Sequence, residues 1–519
     1  MNIKKIILSV FVSSAFWGYA QAQSVDDAVT FSKDGNPASA RIKGMGNVQT
    51  SLGGDISAIN GNPAGLGFFS RSDISITLDY LRNSNKADFL GTNSNSSKGN
   101  FGISQAGIVF NFPSRNQIGG YAGWQNVNVG ISYNKKHNFN NSIIYSGVNK
   151  ETSFVNNLTD IMDYDKNFES DFYNSYLVEE FADATKGYFP LAVEFDDKDQ
   201  INDVLTKGSH NTTAIAFGGN YNNKFYIGGT LGLSFFKYEK SKIFEENGLT
   251  KLAVDVAKHN PDSEFADPTS ADYIKFGDKS YQLLDDYSQI SEGSGVDFKL
   301  GMIYKPTTDW NIGLTITTPT LLSITETTNA FTDVSFFPDM NSNSSFYTYE
   351  SDMYSSDEDY NIATPWKFAL GATKFFNRGL LSAEMEYLTY NTIRYSNPSR
   401  FSSYQGINNT LKDELKGAIN VRVGGEYLLT NTISGRAGFN YLGNPYKYSE
   451  ESNMSGSVGL GFKLSNSIYA DIALVHQVNT FSVSPYKLSN FWHDSGSFEP
   501  IADLNLRRTN AMFTIGAKF

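Results

Sequence analysis

The sequence predicts an all-β fold: a 14-stranded antiparallel transmembrane β-barrel with an N-terminal hatch (plug) segment in its lumen and long extracellular loops. Three observations predict it. The chain opens on an export-type leader, its segments place apolar residues at every second position up to a terminal Phe519, and its connections alternate strictly between very short and long. Composition agrees. The 519 residues carry 42 Lys+Arg against 54 Asp+Glu, a formal net charge of −12, and include 45 Gly, 30 Tyr and 39 Phe beside 14 Pro. With 18% charged residues, that wealth of Gly and aromatics suits pleated strands with exposed faces. Mean hydropathy is −0.34, and beyond the leader no run approaches the roughly 20 apolar residues of a membrane-spanning helix. The acidic balance, without a Lys/Arg tract, argues against a nucleic-acid partner. Zero Cys excludes disulfide frameworks, thiolate nucleophiles, Cys-ligated zinc and iron–sulfur clusters.

Residues 1–22 form the leader. Lys4 and Lys5 make a basic start, Ile6 to Phe16 an apolar run, and Ala20-Gln21-Ala22 a small-x-small cleavage site. The pattern is that of a secretory signal peptide used by the Sec pathway, so the mature chain is expected to begin at Gln23.

Residues 23–71 precede the first strand and do not alternate. They are dense in Gly, Ala and Pro, notably Ser51-Leu52-Gly53-Gly54-Asp55-Ile56-Ser57-Ala58 and Asn60-Gly61-Asn62-Pro63-Ala64-Gly65-Leu66-Gly67. Such a stretch packs its backbone closely through tight turns, with Asn62-Pro63 as a turn initiator. Ahead of a barrel it is expected to occupy the lumen as a plug.

From residue 72 onward the period is two. Ile74, Ile76, Leu78 and Tyr80 alternate with Ser75, Thr77 and Asp79, and Leu381, Ala383, Met385 and Tyr387 with Ser382, Glu384 and Glu386. In the last segment Ala511, Phe513, Ile515, Ala517 and Phe519 share one face. Alternation alone does not separate a soluble sandwich from a barrel. Loop lengths do better. Short connections at 222–223, 305–309, 377–378, 429–432 and 465–466 alternate with long polar stretches at about 149–210, 239–292, 325–364, 391–415, 443–453 and 485–507. A first count gives an odd number of strands, which places the two termini on opposite sides of the membrane. Merging 124–134 and 139–148 into one kinked strand restores an even number. The strands are then expected near 73–82, 101–112, 124–148, 211–222, 224–238, 293–305, 309–324, 365–376, 379–395, 416–428, 432–446, 454–465, 467–484 and 508–519. The kink falls on Asn134, Lys135, Lys136, His137 and Asn138.

The ordered run of Ala-Arg, Met-Gly, Leu-Gly-Gly-Asp-x-Ser-Ala and Asn-Pro-Ala-Gly-Leu-Gly, directly before the first strand, resembles the FadL/TodX-type family of outer-membrane transporters for long-chain fatty acids and other hydrophobic compounds. The residue-level resemblance covers about 37–69; the remainder matches in architecture. It implies that an apolar substrate is captured at extracellular loops, passed through a hatch-gated barrel and released sideways at a kinked third strand. The hatch residues would be Gly53, Gly54, Asp55, Asn62, Pro63, Ala64, Gly65 and Leu66, and the lateral exit the 134–138 link. The loops 239–292 and 325–364 correspond in order to the capture groove, with Phe244, Leu252, Phe265, Phe336 and Phe337 as candidates; packing over the barrel mouth is the equal alternative. The implied partners are a hydrophobic small-molecule substrate, the lipopolysaccharide outer membrane and the outer-membrane assembly machinery, with the chain itself a monomer.

Arg422 and Arg436 are expected to point into the lumen, where either would meet a carboxylate ligand or, more simply, close an internal ion pair, Glu426 lying across a hairpin from Arg436. The acidic clusters at 262–267 and 352–359 lack the spacing of a calcium loop and read as solvated surface. The five His show no metal-ligand spacing, so neither metal nor cofactor is expected. Absence of a nucleophile elbow or phosphate-binding loop reads as a non-enzyme. Trp124, Tyr133, Tyr226, Trp310, Trp366 and Tyr387 read as interfacial girdle. A structural or assembly barrel of a secretion or envelope complex is the second reading.

Overall fold

Alternating polarity becomes a wall whose apolar face looks outward. In the first strand, Asp73–Phe89, the residues Ser75, Thr77 and Asp79 are buried while Ile74, Ile76 and Tyr80 are exposed. The same inside-out pattern recurs at Ile312, Leu314 and Ile316, at Leu381, Met385 and Tyr387, and at Phe513 and Ile515. A face that leaves this much apolar surface uncovered is stable only against lipid.

The computed structural model describes residues 24–114, 123–164, 172–397, 404–449, 451–494 and 496–519; the expected leader and cleavage site, in residues 1–22, lie outside them. Fourteen wall strands follow one another around the barrel. They are Asp73–Phe89, Thr92–Pro113, Trp124–Asn138 continued by Asn141–Asn149, Lys198–Tyr221, Phe225–Leu249, Ser280–Thr307, and Trp310–Thr317 continued by Leu321–Phe337. Then come Tyr354–Ala363 continued by Lys367–Phe376, Gly379–Leu388, Ala418–Leu428, Ile433–Leu442, Ser452–Lys463, Ile468–Val483 and Ala502–Lys518. The first pairs with the last from Asp73↔Lys518 to Phe89↔Ala502, which closes the sheet. Both the start of the wall and the chain terminus lie at the end carrying the tight turns, where the Phe519 N–H donates to the Ser72 carbonyl at 2.9 Å. There Asn222 and Asn223 turn the chain with φ of 56° and 54°, a left-handed pair that asparagine tolerates.

Strand lengths differ from the sequence expectation. The stretches 83–89 and 92–100, left outside the expected strands, and 198–210, 239–249, 280–292 and 325–337, read above as loop, are strand, and the first hairpin closes on the two residues Leu90-Gly91. The reason is physical. Beyond the lipid the outer surface of the wall turns polar, as where Thr325 meets Asp359 and Thr327 meets Asp357, so the apolar-outward alternation that marks the lipid-crossing stretches is lost. The third strand breaks at 139–140, slightly beyond the expected 134–138 link, although its register against the fourth already slips between Lys135 and His137.

At the far end the long connections fold over the barrel. The helix Phe154–Tyr164 and the inward faces of the extended strands build an aromatic cluster with Phe189, Phe244, Phe276, Phe336 and Trp492. No helix among the described residues is long and apolar enough to cross a membrane.

Candidate functional site

The residues ahead of the wall bond to its inward faces. Helix α1 (Val25–Ser32) is capped by Ser24, which accepts from the Asp27 N–H, and α2 (Ala40–Gly44) by Ser39. The Ala40 N–H donates to Thr514 Oγ1 at 2.8 Å, the Gly46 N–H to Ser457 Oγ at 2.9 Å, and Thr230 Oγ1 donates to the Ile59 carbonyl at 2.8 Å. Wall glycines make room: a side chain at Gly313 would strike the Thr50 carbonyl oxygen. Buried backbone that forms neither helix nor sheet needs such partners, and the wall supplies them.

The Gly- and Pro-rich motifs account for their own turns. Asp55 caps Ile56–Ile59, accepting from the Ser57 N–H and from Ser39 Oγ at 2.9 Å each. Gly54 has φ +73° and donates to the Gly65 carbonyl at 3.2 Å; a side chain at Gly53 would strike the Phe68 ring. Asn62 is fully buried. Its Oδ1 accepts from the Ala64 N–H at 3.0 Å while its Nδ2 donates to the Thr50 carbonyl at 2.5 Å, and Pro63 opens the 3-10 turn Pro63–Phe68. Ala64 and Leu66 are buried, Leu66 against Ile56, Ile59 and Val109. Asn62→Ala removes a cap worth about 0.5–2 kcal/mol and the bridge between 50 and 62. The expected result is faster hydrogen exchange over 48–66 with unchanged barrel assembly; loss of assembly would instead mark the motif as a folding element.

Several lumen charges are paired. Arg422 donates to Glu384 and to Glu386 at 2.5 Å each, and Arg436 to Glu426 and to Asp471 at 2.6 Å each. Arg41 of α2 reaches the same Glu426 at 3.0 Å, and Glu384 also accepts the Gln49 and Thr50 N–H groups. Both candidate arginines thus hold wall carboxylates and are buried. Two further pairs were not anticipated: Lys367 with Asp34 at 2.6 Å, and Lys136 with Asp297 at 2.8 Å. Their partners lie far apart in sequence, so no spacing signals them. Tyr226, read above as girdle, instead faces inward and stacks on Phe68 with ring centroids 4.0 Å apart; it lies on the opposite face of its strand from Phe225 and Ile227.

One seam of the wall is incomplete. The second and third strands pair only from Gln105↔Asn134 to Pro113↔Asn126. Above that, the second strand pairs with the first alone, and the continuation Asn141–Asn149 pairs only with the fourth, from Asn141↔Thr206 to Asn149↔Lys198. Side chains cross the interval: Asn138 donates to Asn100 at 2.9 Å, and Asn85 donates to Asn141 at 2.7 Å. Of the five link residues, Asn134 ends the ladder, accepting from Gln105 at 3.0 Å, and Lys135 faces Asp79 at 3.4 Å. The Lys136 carbonyl accepts the Gly35 N–H at 2.7 Å, which ties the N-terminal segment to the seam, and the His137 ring lies 5.0 Å from that of Phe139.

Beside the seam the lumen turns apolar. Ala28, Val29 and Phe31 of α1 pack against Phe139, Phe236 and Tyr238, with Leu322, Ile324 and Tyr395 completing the patch. The Phe31 and Phe236 centroids are 4.6 Å apart. Tyr395 and Tyr446 hydroxyls hold α1 at its first turn, donating to the Ser24 carbonyl and to Asp26 at 2.9 Å each. The capture candidates divide. Phe244 and Phe336 are fully buried in the outer aromatic cluster and, with half-buried Phe337, lie on strands rather than loops; Phe265 is buried in the same cluster, and Leu252 is exposed.

No family model matches the chain, and no curated protein matches it. Solved structures do. A FadL homologue of Pseudomonas aeruginosa is 12% identical, covers 93% of this chain and 98% of its own, and superposes with a TM-score of 0.51. The toluene transporter TodX of P. putida is 14% identical over 93% of this chain and 99% of its own, with a TM-score of 0.48. The toluene transporter TbuX of Ralstonia pickettii is 13% identical over 93% and 98%, with a TM-score of 0.45. At these identities the FadL homologue shares the fold.

Proposed function

We propose that this barrel, which shares its fold with a FadL homologue, transports hydrophobic small molecules of fatty-acid-like or aromatic character across the outer membrane. The observation that carries the reading is the apolar patch inside the barrel, covered by α1 and adjoining the seam whose backbone ladder stops at Gln105↔Asn134. Outer-leaflet lipopolysaccharide is a poor solvent for apolar solutes, whereas a patch of this kind gains roughly 25 cal/mol per Å² of apolar area removed from water. Substrate would compete with the apolar face of α1 for the patch. Because Gly35 bonds to Lys136, displacement of α1 would also pull on the strand that borders the seam. The residues 23–71 act as the hatch in this scheme: they block water and ions while the patch exchanges occupants. Exit through the seam delivers the solute into membrane rather than into periplasmic water, and the side-chain amide bonds across it are individually modest, about 0.5–1.5 kcal/mol each.

The chain has no Cys, which makes the test clean. Cys introduced for Asn100 and Asn138 and bridged by a short bifunctional thiol reagent is expected to abolish uptake of labelled fatty acid or toluene by cells, with uptake restored when a cleavable bridge is cut. Undiminished uptake in the bridged form would sink lateral release. Organic extracts of the protein from its own membrane, read by mass spectrometry, name the substrate class; an extract without an enriched apolar compound counts against the transport reading.

A further inference from the structure

The outer surface of the wall carries its charge unevenly. Over the seventh and eighth strands the outward positions beyond the lipid are acidic, Asp357 and Asp359 accepting from Thr327 and Thr325. Where the thirteenth, fourteenth, first and second strands meet, the sign reverses. The registers set three rows side by side on the outside: His476, Thr509, Arg82 and Gly99; then Val478, Arg507, Ser84 and Ser97; then Thr480, Asn505, Lys86 and Asn95. None of these positions is a carboxylate; the row beyond them, Ser482, Asp503, Asp88 and Asn93, carries two exposed ones and bounds the basic cluster on that side. Arg82, Lys86 and Arg507 are exposed, and none of them forms an ion pair among the described residues. Arg507 is oriented by Asn505, to which its Nε donates at 3.1 Å, and His476 bonds Thr509 at 2.9 Å.

The position of the cluster matters as much as its charge. The next row toward the tight-turn end is Leu474, Ala511, Tyr80 and Phe101, in which Leu474, Tyr80 and Phe101 are exposed. Arg82 therefore stands directly above the apolar band, with Arg507 one row and Lys86 two rows beyond it, a spread of roughly 13 Å along the first strand, and the small polar residues Ser84, Ser97 and Asn95 leave room between them. In a chain of net charge −12 the three cations are not part of a general positive surface. Cations at the rim of an apolar band are placed to meet anionic headgroups whose chains lie on the band below.

We propose that Arg82, Lys86 and Arg507 form a binding site for the phosphorylated headgroup of an outer-leaflet glycolipid, the acyl chains resting on Leu474, Tyr80 and Phe101. The inference assumes that the barrel sits in the outer membrane with the Leu90-Gly91 end outward, and it is independent of what the barrel carries.

The test is native mass spectrometry of the full-length detergent-solubilised protein titrated with lipid A bearing its phosphates, with lipid A stripped of phosphate, and with inorganic phosphate. The wild type is expected to retain phosphorylated lipid A. The stripped lipid, and the variant Arg82→Ser/Lys86→Ser/Arg507→Ser with the phosphorylated lipid, are expected to bind at least about tenfold more weakly, since each basic residue near an anionic surface contributes roughly a factor of five. Inorganic phosphate at the lipid's concentration should not displace it. Equal retention by the variant, equal binding of the stripped lipid, or displacement by phosphate alone would each overturn the proposal. Heat-modifiable migration checks that the variant is folded. Should it not assemble, Lys86→Glu, close to the exposed hairpin tip, reads the same loss. Uptake is not measured here, so failure of this site and failure of the transport reading are separable.

Discussion

Removal of residues 23–66, with residues 1–22 retained, is expected to yield a barrel that still folds and inserts but conducts ions steadily. The wall's own charges support this expectation. Arg422 keeps Glu384 and Glu386, and Arg436 keeps Glu426 and Asp471, without any partner from the N-terminal segment. The ladder from Asp73↔Lys518 to Phe89↔Ala502 likewise closes without it. What the deletion removes is the material that fills the lumen: the apolar contacts of Ile56, Ile59 and Leu66 with the wall, and the backbone bonds to Thr514, Ser457 and Glu384. The polar faces so exposed, such as Thr373, Ser382 and Asn311, are solvated at little cost. Planar-bilayer recordings are expected to show ohmic steps for the deleted form and none for the full chain. If the deleted form stays impermeable to small ions, residues 23–71 are not the hatch.

Arg422→Met is expected to destabilise the barrel by about 3–5 kcal/mol, the usual consequence of removing one partner of a buried ion cluster. Arg422 is among the largest fully buried side chains, and its two carboxylates sit two residues apart on the neighbouring strand, Glu384 directly opposite it. Without the guanidinium they repel each other and remain out of water. The midpoint of guanidinium unfolding, read by loss of heat-modifiable migration, should fall accordingly. Arg422→Met/Glu384→Gln/Glu386→Gln should recover most of the loss, because amides in those places need no counter-charge. An unchanged midpoint for the single variant would show that water already reaches the cluster. The single variant is also expected to leak, since Glu384 accepts the Gln49 and Thr50 N–H groups and positions that part of the segment.

Legibility in the sequence followed the environment of each residue. Where a strand crosses lipid, one face must be apolar and the other must suit a polar lumen, so period two is written plainly at 74–80, 381–387 and 511–519. Once a strand rises beyond the lipid that demand disappears, and segments such as 280–292 and 325–337 look like loop although they are ladder. Local motifs were legible for the same reason that they are local: Asn62-Pro63 caps a turn two residues on, and Glu426 meets Arg436 across a short hairpin. The kink was legible only as a parity requirement. The ladder to the second strand gives out at Asn134, while pairing with the fourth carries the strand on to Asn138 before it breaks at 139–140, a relation between strands rather than a property of one.

By itself, then, the sequence determined an all-β barrel with an outward apolar face, a Gly- and Pro-rich segment ahead of it and the tight turns at one end, because each of these is imposed residue by residue by lipid, backbone and turn geometry. Only the tertiary structure decided that Arg41 shares Glu426, that Asp34 meets Lys367, that α1 covers an apolar patch beside a partly unpaired seam, and that Arg82, Lys86 and Arg507 share one outer surface. Those facts depend on closure and register, which bring distant strands together and leave no periodic trace in any one of them.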